Sequence, residues 1–367
     1  MREIKKTIKS IVQKCAGIIK LPAQPEWYDA ECYFPEMVDR RKSKKTIFID
    51  QCKNIIKYGE PNKFYFLYGL DIKNFHKQDD FVDYSLFMIR RNAMNWSLTW
   101  FPPISILRDK ALFGVVAEAF GINVPKNLGV IKNGDFFSFD EKTTCLFREY
   151  LFKQSLTGSA FIKKIDGECA DGVFKVEIKN GLLYANSHVV ATEQLLRKDE
   201  RYLLQLAINN QHPAINAIYE KAINTLRLVT VHNRKTDEIE VFSCVLRVGK
   251  GDINVDNWAA GGLSIGVDID SGTLRKYGFY KPGFGTKTTE HPDSHIKFEG
   301  YQIPYMQEAI TQAKELHRHL YGMHSIGWDI AITTEGPCFV EGNDNWEISL
   351  MQISNHGLKK EFDRLFY

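Results

Sequence analysis

Cysteine is sparse and scattered in this 367-residue chain: Cys15, Cys32, Cys52, Cys145, Cys169, Cys244 and Cys338 include no Cys-x-x-Cys pair. An odd number without paired spacing excludes a complete disulfide framework and makes a reducing cytoplasm the simplest home. No apolar run reaches the roughly 20 residues that a membrane-spanning helix needs. A strong excess of either charge is also missing, since 48 Lys and Arg stand against 45 Asp and Glu for a net charge of +3. So mild a balance, with no recognition-helix, zinc-finger or aromatic nucleic-acid motif, gives no reason to expect a nucleic-acid partner. There is no internal repeat and no low-complexity tract, which excludes a repeat array.

What remains is an ordinary globular composition, 44% hydrophobic and 25% charged, in a chain long enough for two or three lobes. Residues 1–20 read as a basic amphipathic helix, with Ile4, Ile8, Ile11, Cys15 and Ile18 on one side and Arg2, Lys5, Lys6, Lys9 and Lys14 among its cations. Such a helix suits peripheral contact with an anionic membrane surface, or packing of its apolar side on the protein. Residues 21–105 mix turn signals with aromatic clusters at 64–68 and 96–101 and carry no evident chemistry. Helical spacing follows over 108–120, closed by Gly121. Strand-like segments lie at 126–131, 161–164, 173–178 and 202–208, then throughout 225–274 with a turn at 268–272. A late helix over 305–320 buries Ile310, Ala313, Leu316 and Leu320.

The densest chemistry lies at 327–343, which reads as a β-hairpin bearing Asp329, Glu341 and Asn343 around the turn residues 334–337. Side chains alternate along a strand, so Glu341 and Asn343 share a face. A carboxylate and an amide oxygen at that spacing suit Mg²⁺ held jointly with substrate phosphates, whereas zinc would prefer His or Cys. Asp329 joins them if the loop has an odd number of residues; an even loop would set Gly342 opposite it. The alternative is a surface hairpin with solvated acids.

Several segments fall in one order: Asp109-Lys110, residues 161–167, 202–205, 224–230 and 256–262, His291-Pro292-Asp293, and the hairpin. The series resembles the ATP-grasp superfamily, most closely its sugar-transfer-associated branch, over roughly residues 105–350. The most distinctive pieces are Asp256-Asn257-Trp258 with Gly261-Gly262, and Trp328-Asp329 with Glu341-Gly342-Asn343. The resemblance implies an α/β (α+β) fold in which ATP is clamped between two α+β lobes, 106–210 and 211–367, preceded by an α/β or helical region.

It also implies roles. Lys163 would reach the ATP phosphates as a mobile point charge, while Lys164, where the family usually has proline, faces the other way. Lys110 is a second phosphate candidate, or an exposed lysine at a helix start. The loop 167–172, with Gly167 and Gly172, stands where the family has a flap over the phosphates, although its acids would repel them. Gln205 and Ala207 lie in the expected adenine hinge. Arg227 and Arg247, each inside an apolar strand-like run, suit the transferring phosphoryl group or else a structural ion pair. Asp256, Asn257 and His291 are substrate candidates. Cys169 and Cys338 lack the adjacent base of a nucleophile.

The expected activity is that of an ATP- and Mg²⁺-dependent carboxylate–amine ligase working through an acylphosphate. It would join an amino acid or amine to a sugar or uronic acid in surface polysaccharide biosynthesis. The expected partners are a small carboxylate and an amine or sugar-linked acceptor. A sugar kinase and a catalytically silent nucleotide-binding scaffold are the alternatives.

Overall fold

A computed structural model describes residues 14–95, 104–153, 158–167, 172–180, 182–185, 188–252 and 256–367. Most of the basic N-terminal helix, the aromatic run 96–101, the loop core 168–171 with Cys169, and Val255 lie outside the described residues. Among the described residues no helix is long and apolar enough to cross a membrane.

The N-terminal part is helical: α1 (Lys44–Tyr58), α2 (Tyr84–Asn95), α3 (Ile104–Arg108) and α4 (Lys110–Ala119), with short 3-10 turns ahead of α1 and between α1 and α2. Local capping sets these boundaries. Ser43 Oγ accepts the Thr46 N–H at 3.2 Å at the start of α1, and Gly59 ends it at φ +97°. Asp109 Oδ1 takes the N–H groups of Ala111 and Leu112, both at 3.0 Å, which starts α4 at Lys110 and separates it from α3.

The first sheet comprises β1 (Asn127–Lys132), β2 (Asp135–Ser138), β3 (Thr144–Leu146), β4 (Ser159–Lys164), β5 (Val173–Lys179), β6 (Leu182–Ala185), β7 (His188–Val189) and β8 (Arg201–Leu206). Its antiparallel order is β3-β2-β1-β8-β4-β5-β6-β7, with α5 (Phe147–Lys153) supplying Phe147 and Tyr150 to its core. Residues 207–212 then carry the chain to α6 (Pro213–Ile218) and to a second sheet. That sheet is formed by β9 (Thr225–Asn233), β10 (Glu238–Val248), β11 (Leu263–Val267), β12 (Leu274–Tyr280), β13 (Lys287–Thr288), β14 (Ser325–Thr333) and β15 (Gly336–Asn343). Its order is β13-β12-β11-β10-β9-β14-β15, again antiparallel. Helix α7 (Met306–His319) lies before β14; α8 (Ser349–Ser354) and α9 (Lys359–Phe366) close the chain. The fold is thus mixed α/β with antiparallel sheets behind a helical N-terminal region, as the sequence implied.

Strand alternation sorts the second sheet into two faces. Leu226, Leu228, Leu246, Trp328 and Phe339 share a core with Ala313 and Leu316 of α7. Val229, Val231 and Val245 turn to the other face, where they meet Phe87 of α2 and Trp346, Met351, Phe362 and Phe366 of the C-terminal segment. The N-terminal region is therefore part of this lobe's core. Phe87 meets Trp346 edge-on at 4.8 Å, and buried Arg91 donates to Trp346 O at 2.5 Å and Asn345 Oδ1 at 2.6 Å.

Close backbone approach at Gly266 seats α8 on this face: a Cβ there would lie 2.2 Å from Ser354 O. Because the obstacle is backbone, Gly266→Ala is expected to destabilise the fold by about 1–3 kcal/mol, read as a lowered urea midpoint. An unchanged midpoint would show that α8 can shift freely.

Candidate active site

Two features of β14 and β15 set the hairpin register. Thr333 pairs with Gly336, so the loop is the two residues Thr334 and Glu335. An even loop was expected to place Gly342 opposite Asp329. Instead Ile330 pairs with Phe339 and Asp329 with Glu341, because Val340 bulges out of the ladder. The extra residue shifts register by one and returns Glu341 to Asp329's face. Asn343 follows on that face, its amide donating to Gly327 O and to Glu341 Oε1, both at 3.3 Å. Its Oδ1 is left as the atom not used in those bonds.

Asp329 is the hub of a buried ionic cluster. Arg227, its direct partner on β9, grips both carboxylate oxygens, Nη2 to Oδ2 at 2.9 Å and Nε to Oδ1. Arg247 of β10 reaches Oδ2 at 3.0 Å. Burial alone would raise the Asp329 pKa, but the two guanidinium groups outweigh it and hold the carboxyl at about 2. Glu341 has the opposite fate: burial, then the charge of Asp329 beside it, pushes its carboxyl up. The protonated form of Glu341 is thus the one favoured beside Asp329.

Arg247 also contacts Asp256 Oδ2 at 3.3 Å and Thr225 Oγ1 at 2.8 Å, while Thr225 donates its N–H to Asp256 at 3.0 Å. Arg247 Nε is buried with no hydrogen-bond partner among the described residues. A buried guanidinium donor without an acceptor is costly unless a ligand supplies one.

The first sheet brings its own cations to this place. Lys163 donates to Gln205 Oε1 at 2.7 Å, and Gln205 in turn donates to Asn127 Oδ1 at 2.7 Å. Lys164 turns the other way and pairs with Glu200 at 3.0 Å, as alternation requires. Lys110 donates to the carbonyl of Gly167 at 2.5 Å. Burial lowers the Lys163 ammonium to about 8, with Glu341 opposing that shift and Lys110 reinforcing it. These charges sense one another across the lobes, so the two sheets converge on one site. Gln205 has its side chain committed to Lys163 and Asn127. The Ala207 N–H bonds Ser159 O at 3.0 Å, which leaves its carbonyl as the group the hinge offers there. Gly172 holds φ +65° with its carbonyl accepting from Lys164 N–H at 2.9 Å, anchoring the far end of the loop.

A pH effect follows. The ammonium form of Lys163 is the one that attracts phosphate, and it is lost as pH rises through about 8. Affinity for Mg-free ADP is expected to weaken over that interval. Lys163→Arg, whose guanidinium stays charged, is expected to abolish the step. A step of equal size in the variant would assign it to another group.

The remaining candidates divide. Asp256 belongs to the arginine cluster. Asn257 caps the short turn Trp258–Ala260, its Oδ1 accepting the Ala259 N–H at 2.9 Å. Gly262 is required there, since a Cβ would lie 2.8 Å from Val248 O. His291, read as a substrate candidate in a polar loop, is wholly buried. Its Nε2 bonds Gly249 O at 2.8 Å and its Nδ1 faces the N–H groups of Asp293 and Ser294, so both nitrogens serve the loop. Burial raises the Cys338 thiol to about 12, which keeps it protonated. Among the described residues no cluster of three His, Cys, Asp or Glu is arranged around a metal position. The oxygen donors available are those of Glu341, Asn343 and the arginine-held Asp329.

Sequence reasoning missed Asn127, Thr225 and the pair Arg108–Asp344. Arg108 grips buried Asp344 through Nε at 3.0 Å and Nη2 at 2.8 Å, tying α3 to the end of the hairpin. Asp344 directly follows Asn343, and that adjacency was the one available signal.

Residues 102–365 match the family described as "Sugar-transfer associated ATP-grasp". Among curated proteins none matches. Solved structures similar to this chain include VanG D-Ala:D-Ser ligase from Enterococcus faecalis, at 15% identity and TM-score 0.41 over 71% of this chain and 61% of that one. N5-carboxyaminoimidazole ribonucleotide synthetase from Thermotoga maritima is 13% identical, with TM-score 0.38 over 72% of this chain and 50% of that one. The ATP-grasp ligase PsnB complexed with minimal precursor is 13% identical, with TM-score 0.39 over 72% and 61%. The chain thus spans less than two thirds of each of these structures, and the likeness is too distant to transfer a substrate.

Proposed function

This chain belongs to the sugar-transfer associated ATP-grasp family, and on that premise we propose that it is an ADP-forming carboxylate–amine ligase. The observation that carries the reading is the convergence of Lys163 from the first sheet and Lys110 from the start of α4 with Glu341, Asp329, Arg227 and Arg247 from the second sheet. Such a constellation can hold a polyanion between two lobes and steady charge on a transferring phosphoryl group.

Mg²⁺ suits this donor set. Two facing carboxyl groups beside an amide oxygen are hard ligands, and a divalent cation relieves the mutual repulsion of their charged forms. Glu341 and Asn343 would hold it directly, with Asp329 orienting Glu341 and fixing the arginines. When bound, the ion supplies Lewis-acid stabilisation of the phosphate oxygens. The protein's own groups do the rest. Lys163, aimed by Gln205 and Asn127, faces the phosphates; Arg247, with its unmatched Nε, accepts an anionic oxygen of phosphate or carboxylate. The Ala207 carbonyl accepts from a nucleobase amino group, and an acylphosphate requires that water be kept from it. The carboxylate is an amino acid or uronic acid, and the amine or sugar-linked acceptor attacks second. The setting is cytoplasmic assembly of a surface polysaccharide.

The test is incubation with Mg-ATP, hydroxylamine and pools of amino acids or uronic acids, scoring ADP and hydroxamate together. Hydroxamate dependent on one pool is the expected result. ADP without hydroxamate would favour phosphoryl transfer to a sugar hydroxyl, and nucleotide binding without either product would overturn the enzymatic reading.

A further inference from the structure

The basic N-terminal segment takes no part in the reaction proposed above, and its described end shows which way its apolar side faces. Residues 14–20 are helical and lead into Leu21, which is wholly buried and fixes the helix to the lobe. Gly17 is turned to the protein: a Cβ there would lie 3.1 Å from Ile55 Cγ2 of α1, and Ile55 is itself fully buried. Residues two apart on a helix point to nearly opposite sides. Cys15 and Ile19, two residues before and after Gly17, therefore face away from α1. Both are exposed, Ile19 by 77%. The helix thus meets the protein through a glycine and turns apolar residues to water, the reverse of an amphipathic helix packed on its own fold.

Counted back through the sequence at about 100° per residue, Ile4, Ile8, Ile11 and Val12 fall with Cys15, Ile18 and Ile19 in one sector of about 120°. Lys5 and Lys9 border that sector on one side and Lys14 on the other. Lysine stems of this kind lie along apolar surface while their ammonium groups reach past it. Six cations stand against Glu3 alone in residues 1–20, a net +5, so in a total of +3 the rest of the chain carries −2. The positive balance of the protein belongs wholly to this segment. Neither Lys14 nor Lys20 has an ion-pair partner among the described residues. Ile56, next to Ile55 on α1, is 58% exposed and adds apolar surface beside the helix.

Whatever covers this stripe has to be apolar within and anionic at its surface. A second copy would set one cationic segment against another. A nucleic acid would answer the cations and leave the isoleucines in water. A bilayer containing anionic lipid answers both, with acyl chains for the stripe and phosphate headgroups for the lysines on its flanks. We propose that residues 1–20 dock the chain on an anionic membrane surface, with Cys15 and Ile19 directed into the boundary between headgroups and acyl chains. The contact is peripheral and independent of the ligase reaction.

The experiment is co-sedimentation of the full chain with vesicles of phosphatidylcholine alone and of phosphatidylcholine mixed with phosphatidylglycerol. The expected result is at least tenfold tighter binding to the mixed vesicles at about 0.1 M salt, weakening as added salt shortens the screening length. Ile19→Asp is expected to weaken that binding at least tenfold, with unchanged thermal midpoint and ADP affinity, whereas Ile19→Leu retains it. Lys20→Glu is expected to weaken binding to the mixed vesicles alone. Equal binding to both vesicles, no binding to either, or insensitivity to Ile19→Asp and Lys20→Glu would each overturn the proposal. A lipid-free dimer that Ile19→Asp dissociates would also overturn it, by making the stripe an interface between copies.

Discussion

Glu341→Gln is expected to lower ATP turnover roughly a hundred- to thousandfold, the size of losing one electrostatic contact to a transition state, while the folded protein keeps its stability. The reason is the protonation of the pair. Glu341 is buried beside the carboxylate of Asp329, and both features raise its pKa. Its protonated form, which donates to Asp329, is thus favoured. The glutamine amide can make the same donation in the same space, so the fold loses little. What glutamine cannot do is release a proton and become an anionic ligand.

A stability profile separates these effects. A carboxyl with a raised folded pKa binds more protons when folded than unfolded, so it contributes stability that is lost as pH rises above its ordinary 4.5 and through the raised value. Urea midpoints of the wild type should therefore carry a downward component with rising pH that the glutamine variant lacks. ADP release from the variant within tenfold of the wild type would remove Glu341 from the proposed chemistry.

Much of this site was legible because strand alternation is local. Glu341 with Asn343, and Lys163 against Lys164, follow from a period of two residues. Arg227 and Arg247 were visible as charges inside apolar runs, where burial demands a partner. Their partners were not visible, since Asp329 lies 102 residues from Arg227 in sequence and only sheet pairing joins them. Loop parity failed for a related reason. The bulge at Val340 is settled by how β15 packs as a whole and leaves no mark on loop length. His291 could be read as a polar loop residue, but its burial depends on the carbonyl of Gly249, 42 residues away. The aromatic N-terminal region showed its composition and not its destination, because contacts such as Phe87 with Trp346 span the whole chain.

Asp329→Asn should behave quite differently from the substitution at its neighbour. Asp329 is 4% exposed and is the anion that both Arg227 and Arg247 contact. Breaking a buried pair by removing one partner leaves uncompensated charge and typically costs about 3–5 kcal/mol. Here two guanidinium groups lose their acceptor at once, with Asp256 remaining for Arg247 alone. Loss of stability in that range, read from urea unfolding at pH 7, is expected together with loss of ATP turnover.

The pH profile supplies the complementary check. Because the Asp329 pKa is held at about 2, below its ordinary 3.8, its contribution is present above pH 3.8 and is lost as pH falls towards 2. The asparagine variant should lack that acid-limb component. Adding Arg227→Met to Asp329→Asn is expected to return part of the stability by removing a stranded charge, without returning activity. If Asp329→Asn costs less than 1 kcal/mol, or if the double variant is additive, the cluster is solvated in solution, and its arginines are then free to turn towards phosphate without first releasing Asp329.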